Sequence, residues 1–332
     1  MPRPFRNVGN SCFVNASVQA AFGLQTWREL LARMAARRAR PMNAPRVPEP
    51  LWTEEGQLAE LREPHRLLFP AARPEDLLAA TYHVAQVPPN QASMLPSALL
   101  RRFYHGVQED ACEFMLGSFL SLDEELNPVL LPTLRGQLRT ILQCADCETE
   151  RASAEGDPFG CLVLPLCTAA DGQEIRSVEA ALAEYRRAEP MAANYLWHCP
   201  NPACHAAGAL KRMDFRSLPN VLWFQLQRWR MEAPGRPMRN LFHEVRLDAV
   251  LRLRTTEAPQ LVRRYRLAGV VCHLGAVPQA GHYVAKARHD GVWYRYDDAN
   301  REPLRPGQPL ADAREKAYLL AYEFDGEEAV AG

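Results

Sequence analysis

A β-hairpin is predicted by the stretch Gly281-His282-Tyr283-Val284-Ala285-Lys286-Ala287-Arg288-His289-Asp290-Gly291-Val292-Trp293-Tyr294-Arg295-Tyr296-Asp297-Asp298. Its two halves are rich in branched and aromatic residues, which favours strands over residues 282–289 and 291–297. The dipeptide Asp290-Gly291 between them is typical of a two-residue turn in which both φ angles are positive. A loop of this length pairs residue 289 with residue 292, and that pairing fixes the register of the hairpin.

This register places His282 and Asp297 on the same face of the hairpin. Side chains alternate between faces along a strand, so these two residues are diagonal neighbours with backbones about 7–8 Å apart, and Asp298 points to the opposite face. A carboxylate beside an imidazole is the arrangement that orients a catalytic histidine. A structural hydrogen bond is the alternative, and a three-residue loop or a bulge would change the register. His273 is a rival histidine, but it alternates with Cys272 along one strand, so that pair cannot act together.

Outside the hairpin, the pattern changes from helices to strands near Pro132. Apolar residues at helical spacing predict helices from Cys12 to about Arg40, over Glu75 to Gln86 and over about Gln108 to Leu122, with a Pro-rich loop at residues 41–50. Further strands are predicted at Leu138–Gln143, Phe159–Leu166, Val221–Trp229, Tyr265–Leu274 and Tyr318–Phe324, with a short helix at Ser177–Arg187. Helices followed by mostly antiparallel strands indicate an α+β protein.

The composition is that of an ordinary globular protein. Of the 332 residues, 47% are hydrophobic and 23% are charged, and the formal net charge is zero, which argues against nucleic acid or an anionic membrane as a partner. No apolar run approaches the roughly 20 residues that span a bilayer, and the first residues lack the apolar core of a signal peptide. We therefore expect an intracellular protein, cytoplasmic or nuclear, whose nine cysteines are not paired in disulfides.

Two pairs of cysteines have the spacing of metal ligands. The pairs resemble a zinc ribbon, in which four thiolates lie about 2.3 Å from the ion. The four-residue spacing of the second pair is less typical than a repeated two-residue spacing, so metal-free packing is the alternative. His198 and His205 flank the second pair and are possible substitute ligands. The four candidate ligands are Cys144, Cys147, Cys199 and Cys204.

Cys12 lies where a loop of small and amide residues leads into a predicted helix with Ser11 as its N-cap. The unpaired N–H groups and the dipole at a helix start favour a thiolate, which is the attacking form in nucleophilic catalysis. A buried structural cysteine is the alternative, because free cysteine is among the most buried residue types.

Four separated segments together resemble the ubiquitin-specific proteases, a family of papain-like cysteine peptidases. The match extends from about residue 5 to residue 324, and the order and the spacing of the segments agree with the family. The matching segments are Asn7-Val8-Gly9-Asn10-Ser11-Cys12-Phe13-Val14-Asn15-Ala16, Gln108-Glu109-Asp110-Ala111-Cys112-Glu113-Phe114, Gly281-His282-Tyr283-Val284-Ala285 and Trp293-Tyr294-Arg295-Tyr296-Asp297-Asp298.

The resemblance implies a right-hand architecture in one catalytic domain, residues 1–332. It implies a helical thumb over about 1–130, fingers that hold structural zinc and the start of a palm over about 135–230, and the remaining palm over about 231–326. It also implies that the zinc takes no part in the chemistry and that the reaction needs no cofactor.

The resemblance also implies the role of each site residue. Cys12 is then the nucleophile, His282 the general base and acid, Asp297 the orienting carboxylate and Asn7 a donor to the oxyanion. The residues implied to bind the substrate are Gln108, Asp110, Glu113 and Tyr283; on a predicted helix, Asp110 and Glu113 share one face, where they would hold arginines of the ubiquitin tail.

The implied activity is hydrolysis of the bond after the C-terminal glycine of ubiquitin, with ubiquitin and ubiquitinated proteins as partners of a monomeric enzyme. Two alternatives remain open at this stage: a protease for another ubiquitin-like modifier, and a ubiquitin-binding scaffold that is catalytically silent. A zinc-ribbon protein that binds nucleic acid is a weaker alternative, because the Arg-rich segment 33–40 lacks interleaved aromatic residues.

Overall fold

The structure is a computed structural model that describes residues 12–29, 108–116, 131–191, 197–205, 208–231, 238–277, 280–311, 313–314 and 316–329. The predicted helix over Glu75–Gln86, the Pro-rich segment 41–50 and Asn7 lie outside these ranges. Among the described residues, no helix combines the length and the apolar character needed to cross a membrane.

The described chain forms short helices and two main antiparallel sheets. In chain order, the helices are α1 (Cys12–Phe22), α2 (residues 25–29), α3 (residues 111–116), α4 (Leu131–Leu134), α5 (Val178–Tyr185) and α6 (Gln308–Ala311). The strands are β1 (Gly136–Cys144), β2 (Glu150–Ala152), β3 (Asp157–Phe159), β4 (Cys161–Leu164), β5 (Glu189–Pro190), β6 (Ala209–Ser217), β7 (Val221–Leu226), β8 (Trp229–Met231), β9 (Met238–Asn240), β10 (Val250–Leu253), β11 (Leu261–Val277), β12 (Ala280–His289), β13 (Val292–Asp297), β14 (Asn300–Pro303) and β15 (Ala317–Ala329).

The two main sheets differ in size, one with five strands and the other with eight. The small sheet has the strand order β2-β1-β6-β5, with β3 also paired to β1. The large sheet has the order β14-β13-β12-β11-β15-β7-β4, with β10 also paired to β11, and its only parallel pair among the described strands is β4 with β7. The α+β organisation predicted from the sequence is therefore present in the structure.

The large sheet is buried on both faces. Along β15, Leu319 and Ala321 belong to the cluster that contains α1 and α3, whereas Leu320 and Tyr322 belong to the cluster on the other face, which contains α5. This alternation follows the two-residue period of a strand. Because both faces are covered, β15 carries six consecutive buried residues at its start and lacks the polar alternation of a half-exposed strand.

Helix α1 lies in the interior, and all eleven of its residues are buried. It packs against β12, β11 and β13. The helix approaches the backbone of β11 closely at Gly269, where a Cβ atom would stand 2.6 Å from the carbonyl oxygen of Ala20. Gly23 meets the carbonyl group of Ala268 in the same way. Glycine is required at this contact because a methyl group would push the helix off the sheet.

The predicted hairpin has the predicted register. Residue His289 pairs with Val292, and the pairing continues to Ala285 opposite Tyr296. The two turn residues have positive φ angles, 49° at Asp290 and 85° at Gly291. The turn chemistry of Asp-Gly thus fixes the pairing as the sequence indicated.

Two predicted strands are divided in the structure, each for a physical reason. The segment Phe159–Leu166 breaks at Gly160 because the chain passes there from the small sheet, in β3, to the large sheet, in β4. The segment Val221–Trp229 breaks after β7 because Arg228 turns inward and donates to the backbone oxygens of Ala317, Leu241, His243 and Arg314 at 2.5–3.1 Å.

We predict that Gly269→Ala destabilises the fold by about 1–3 kcal/mol, because the new methyl group must displace the backbone of α1. Urea denaturation would measure the change in the free energy of unfolding. Gly208→Ala is the matched control, since among the described residues its added Cβ would meet only the Ala145 Cβ, at 3.6 Å, and we expect a change within about 0.5 kcal/mol. Equal stability of the two variants would contradict the role of Gly269.

Candidate active site

Cys12 is the first residue of α1, and its side chain is 2% exposed. The backbone of Tyr283, the residue that follows His282 on β12, is near enough to the thiol to lower its pKa. The packing of α1 on β12 therefore places the candidate nucleophile beside the strand that carries the candidate base.

The environment of Cys12 favours the neutral thiol. Burial raises the pKa of the Cys12 thiol, the backbone groups of Tyr283 and Phe13 oppose this shift, and the negative charge of Asp298 adds to it, so that the net shift is upward. The expectation of a stabilised thiolate at the helix start is therefore not met in this structure. The reason is that loss of water around a thiolate outweighs the favourable contribution of the helix terminus.

His282 and Asp297 are in direct contact, with 2.7 Å between His282 Nε2 and Asp297 Oδ1. The second carboxylate oxygen of Asp297 accepts a hydrogen bond from Arg295 at 2.6 Å. Burial opposes ionisation of Asp297, but the hydrogen bond from His282 and the charge of Arg295 outweigh it and hold the pKa of this carboxyl below its usual range. Because an ionised carboxylate only accepts, the proton of a neutral ring lies on Nε2, and Nδ1 is left as the base.

Asp298 departs from the predicted orientation. Its Oδ2 lies 3.9 Å from His282 Nε2, and its Oδ1 accepts a hydrogen bond from Asn15 Nδ2 at 2.7 Å. The expectation that Asp298 points away from His282 is wrong, because β13 ends at Asp297 and Asp298 has a left-handed backbone with φ 47°. Strand alternation does not extend across such a residue.

Asp110 precedes helix α3 instead of lying within it. One of its carboxylate oxygens accepts from the backbone N–H groups of Cys112 at 2.7 Å and Glu113 at 2.9 Å, as an N-cap residue does. Its other oxygen accepts from the hydroxyl of Tyr318. The predicted helix start at about Gln108 is thus corrected to residue 111, with Asp110 capping the first turn beside the backbone of Glu113. Glu113 is exposed on α3.

Gln108 contacts the strand of the candidate base. With its side-chain amide oriented to match its neighbours, the nitrogen donates to the Gly281 carbonyl at 2.7 Å and the oxygen accepts from the Gly281 N–H at 3.3 Å. Tyr283 is 1% exposed, and its ring packs against the rings of His273 and Tyr318, at 4.6 and 6.2 Å between centroids.

The four cysteines of the two pairs lie together at the end of the small sheet. The Sγ atoms of Cys144 and Cys204 are 3.7 Å apart, those of Cys147 and Cys199 are 3.4 Å apart, and all four lie within 4.8 Å of one another. Four sulfurs at 2.3 Å from one tetrahedral ion are separated by roughly 3.8 Å, so this group has the dimensions of a metal site. The two flanking histidines are not members of the group.

Several contacts of the site have no local signal in the sequence. Tyr318 is separated from Asp110 by 208 residues, and Asn15 from Asp298 by 283 residues. Both contacts depend on how α1 and α3 pack on the large sheet. Arg295 was detectable in principle, because it lies two residues before Asp297 and therefore on the same face of β13.

Comparison with protein families places nearly the whole chain in one group. The family model described as ubiquitin carboxyl-terminal hydrolase matches residues 4–322. Similar curated proteins include ubiquitin carboxyl-terminal hydrolase 13 of Saccharomyces cerevisiae, 25% identical over 195 residues, and the probable ubiquitin carboxyl-terminal hydrolase creB of Aspergillus flavus, 31% identical over 210 residues. These alignments cover 57% and 59% of the chain but only 25% and 26% of the relatives, so the chain spans about a quarter of their length.

Comparison with solved structures shows the fold. The SAGA Ubp8/Sgf11/Sus1/Sgf73 DUB module bound to ubiquitin aldehyde contains a chain that matches with a TM-score of 0.69 and 19% identity, covering 98% of this chain and 70% of that one. A module of the same four proteins bound to monoubiquitin matches equally well. The fold expected from the sequence is confirmed.

We predict that Cys12 reacts slowly with iodoacetamide at neutral pH and that its rate keeps rising past pH ~8.5, the ordinary pKa of a cysteine thiol. The reason is that only the thiolate reacts and that burial raises the pKa of this thiol. Mass spectrometry of the Cys12 peptide across the pH range would measure the rate, with Cys167, which is half-buried, as an internal reference. A rate that is already constant below pH 7 would show a stabilised thiolate instead.

Proposed function

The chain belongs to the ubiquitin carboxyl-terminal hydrolase family, which includes the ubiquitin-specific proteases, and from that premise we propose that it is a cysteine-type deubiquitinase. The observation that carries the proposal is the direct contact of His282 with Asp297, beside a buried cysteine at a helix start. In this reading Cys12 is the nucleophile, His282 the general base and acid, and Asp297 the residue that orients and stabilises the ring. Asn7 is proposed as an oxyanion donor from its place in the cysteine segment.

The proposed reaction proceeds through a thioester. His282 Nδ1 takes the proton of the Cys12 thiol, and the sulfur attacks the carbonyl carbon of the C-terminal glycine of ubiquitin. The carbonyl oxygen becomes an oxyanion that Asn7 and the backbone N–H of Cys12 stabilise, each such donor being worth about 2.7–4 kcal/mol. The bond to the amine of the target breaks, His282 protonates that amine, and water hydrolyses the thioester to release ubiquitin.

The raised pKa of the Cys12 thiol bears on which of two roles His282 has, proton transfer during attack or a resting ion pair with the thiolate. An ion pair formed in advance would leave the ring already protonated, whereas a neutral thiol requires proton transfer during attack. The carboxylate of Asp297 stabilises the imidazolium that forms, because its pKa is held low by His282 and Arg295. The contact with Asp297 fixes the tautomer of the ring, and the raised pKa of Cys12 favours general-base transfer over an ion pair formed in advance.

We propose ubiquitin as the partner at the acidic end of α3 and along the strand after His282. Both described structural relatives were solved with ubiquitin or ubiquitin aldehyde. Glu113 is exposed on α3, whereas both oxygens of Asp110 accept hydrogen bonds within the protein, one from the helix start and the other from Tyr318. Asp110 would thus act in part by fixing α3, and Tyr283, whose ring is buried, by supporting from below the strand along which the tail would lie.

We propose structural zinc at the four cysteines, because thiolates are its preferred ligands and the sulfur separations fit one ion. Free cysteines and a thiolate zinc site are typical of a reducing compartment, so we propose an intracellular protein, cytoplasmic or nuclear. The proposal that it is a monomer rests on the family resemblance alone.

The expected experimental result is covalent labelling of Cys12 by ubiquitin that carries an electrophilic group at its C-terminus. We predict that Cys12→Ala abolishes labelling, that Cys167→Ala leaves it unchanged, and that His282→Ala lowers kcat/KM on a ubiquitin conjugate by about 100- to 10,000-fold. Intact mass spectrometry would detect the adduct.

The same experiment separates the alternatives. A wild-type protein that binds ubiquitin without forming an adduct would be a silent scaffold. Preferential labelling by another ubiquitin-like modifier, tested side by side at equal concentration, would instead overturn the choice of substrate.

For the metal, we predict about one zinc ion per chain in the purified protein, measured by inductively coupled plasma mass spectrometry. Cys199→Ser should lower the zinc content and reduce Tm by about 5 °C or more, because the ligands of two separate segments are no longer joined. Cys167→Ser is the matched control and should change neither quantity. Full stability of a zinc-free wild-type protein would support metal-free packing.

A further inference from the structure

Among the described strands, none pairs with the part of β12 beside the candidate base on the edge that faces β13. The β12–β13 pairing begins at His289 with Val292 and ends at Ala285 with Tyr296. Residues that flank a two-residue turn exchange both hydrogen bonds, and every second residue of β12 then points its N–H and C=O toward β13. By this alternation, the N–H and C=O groups of Tyr283 and Gly281 also point to the β13 side of β12, but they lie beyond Ala285, the last residue that pairs with β13.

The chain turns away from that edge after β13. Asp298 has φ 47° and begins the turn into β14, which pairs with the other side of β13. The backbone groups of Tyr283 and Gly281 therefore need other partners, since a buried N–H or C=O is rarely left unpaired.

Two side chains from other parts of the chain take this place. The Cys12 thiol lies near the backbone of Tyr283. The Gln108 amide makes a two-point pair with Gly281, donating to its carbonyl at 2.7 Å and accepting from its N–H at 3.3 Å. Gln108 thus reproduces, with one side chain, the two hydrogen bonds that a residue of a neighbouring strand would make.

The opposite side of Gly281 is irregular. The β11–β12 register shifts between Leu274 and Val277, so Gly281 has no regular partner in β11. Gly281 also packs tightly there, since an added Cβ would stand 2.8 Å from both His273 Nε2 and the Leu274 carbonyl oxygen. The position of the peptide just before His282 is consequently set by close packing on one side and by Gln108 on the other.

We propose that Gln108 is a positioning residue that holds the Gly281 peptide and thereby the placement of His282 against Cys12. This inference rests on the proposed function and reassigns Gln108, which the family resemblance placed among the residues that bind ubiquitin. Because the nitrogen and the oxygen of the Gln108 amide both bond to the backbone of Gly281, the amide serves a contact within the protein instead of a contact with ubiquitin. Removal of the Gln108 amide should slow the chemical step, because a misplacement of about 1 Å at a catalytic group can cost about 100-fold in rate.

The first test separates positioning from substrate binding. Gln108→Ala should lower kcat on a ubiquitin conjugate by about 10- to 100-fold with little change in KM, whereas Glu113→Gln should raise KM. Gln25→Ala is the matched control, because Gln25 is exposed and bonds only to Glu29 among its described partners. A Gln108→Ala variant with unchanged kcat and a raised KM would overturn the proposal.

The second test needs no enzymatic activity. Hydrogen exchange of the peptide that spans residues 280–285 should be faster at Gly281 by about tenfold in Gln108→Ala, because its N–H loses its acceptor. Unchanged exchange there would also overturn the proposal. If the wild type cleaves no ubiquitin conjugate, the proposed function fails, and this measurement still decides whether Gln108 holds the Gly281 peptide.

The third test uses the protonation of a glutamate. In Gln108→Glu, a carboxylate has no donor for the Gly281 carbonyl, but a protonated carboxyl has one donor and one acceptor and restores both bonds. The ratio of variant to wild-type kcat should therefore rise as the pH falls from about 8 to about 5.5, toward the range where glutamate takes up a proton. A ratio independent of pH would contradict a positioning role of the amide pair.

Discussion

Helix α1 lies directly on the backbone of β11, because neither Gly269 nor Gly23 has a side chain to hold the two elements apart. This contact determines the height of the helix above the large sheet. It therefore determines where Cys12, at the start of the helix, meets β12. The fully buried helix also carries Asn15, which reaches the carboxylate of Asp298 beyond the end of the hairpin. Helix, sheet and candidate site are consequently fixed by one close approach, in which even a methyl group has no room.

The parts of the site predicted from the sequence are those governed by local chemistry. The Asp290-Gly291 turn fixes the register of the hairpin, and strand alternation then brings Asp297 to the face of His282. The alternation of side chains applies only as far as Asp297, the last residue of β13. Asp298 adopts a left-handed backbone, so alternation assigned its side chain to the wrong side.

Contacts between distant segments were beyond prediction from the sequence. Nothing in the segment around Gln108 indicates that its amide pairs with the backbone of Gly281, and nothing around Asp110 indicates Tyr318. The small sheet shows the same limit, since β6 is polar along much of its length and owes its conformation to pairing with β1. In each case the partner is supplied by tertiary packing, which is not encoded in a local pattern.

A buried neutral thiol also has a consequence for damage by oxidants. Peroxides attack the thiolate, and over-oxidation beyond the sulfenic acid is irreversible for most cysteines. At Cys12, burial raises the pKa of the thiol, which lowers the fraction present as thiolate, and leaves the residue 2% exposed to water. The desolvation from which we predict a slow reaction with small electrophiles thus also limits oxidation of the candidate nucleophile between encounters with substrate. Resistance of Cys12 to oxidation and slow reaction of its resting thiol would therefore have the same physical cause, the deep burial of α1.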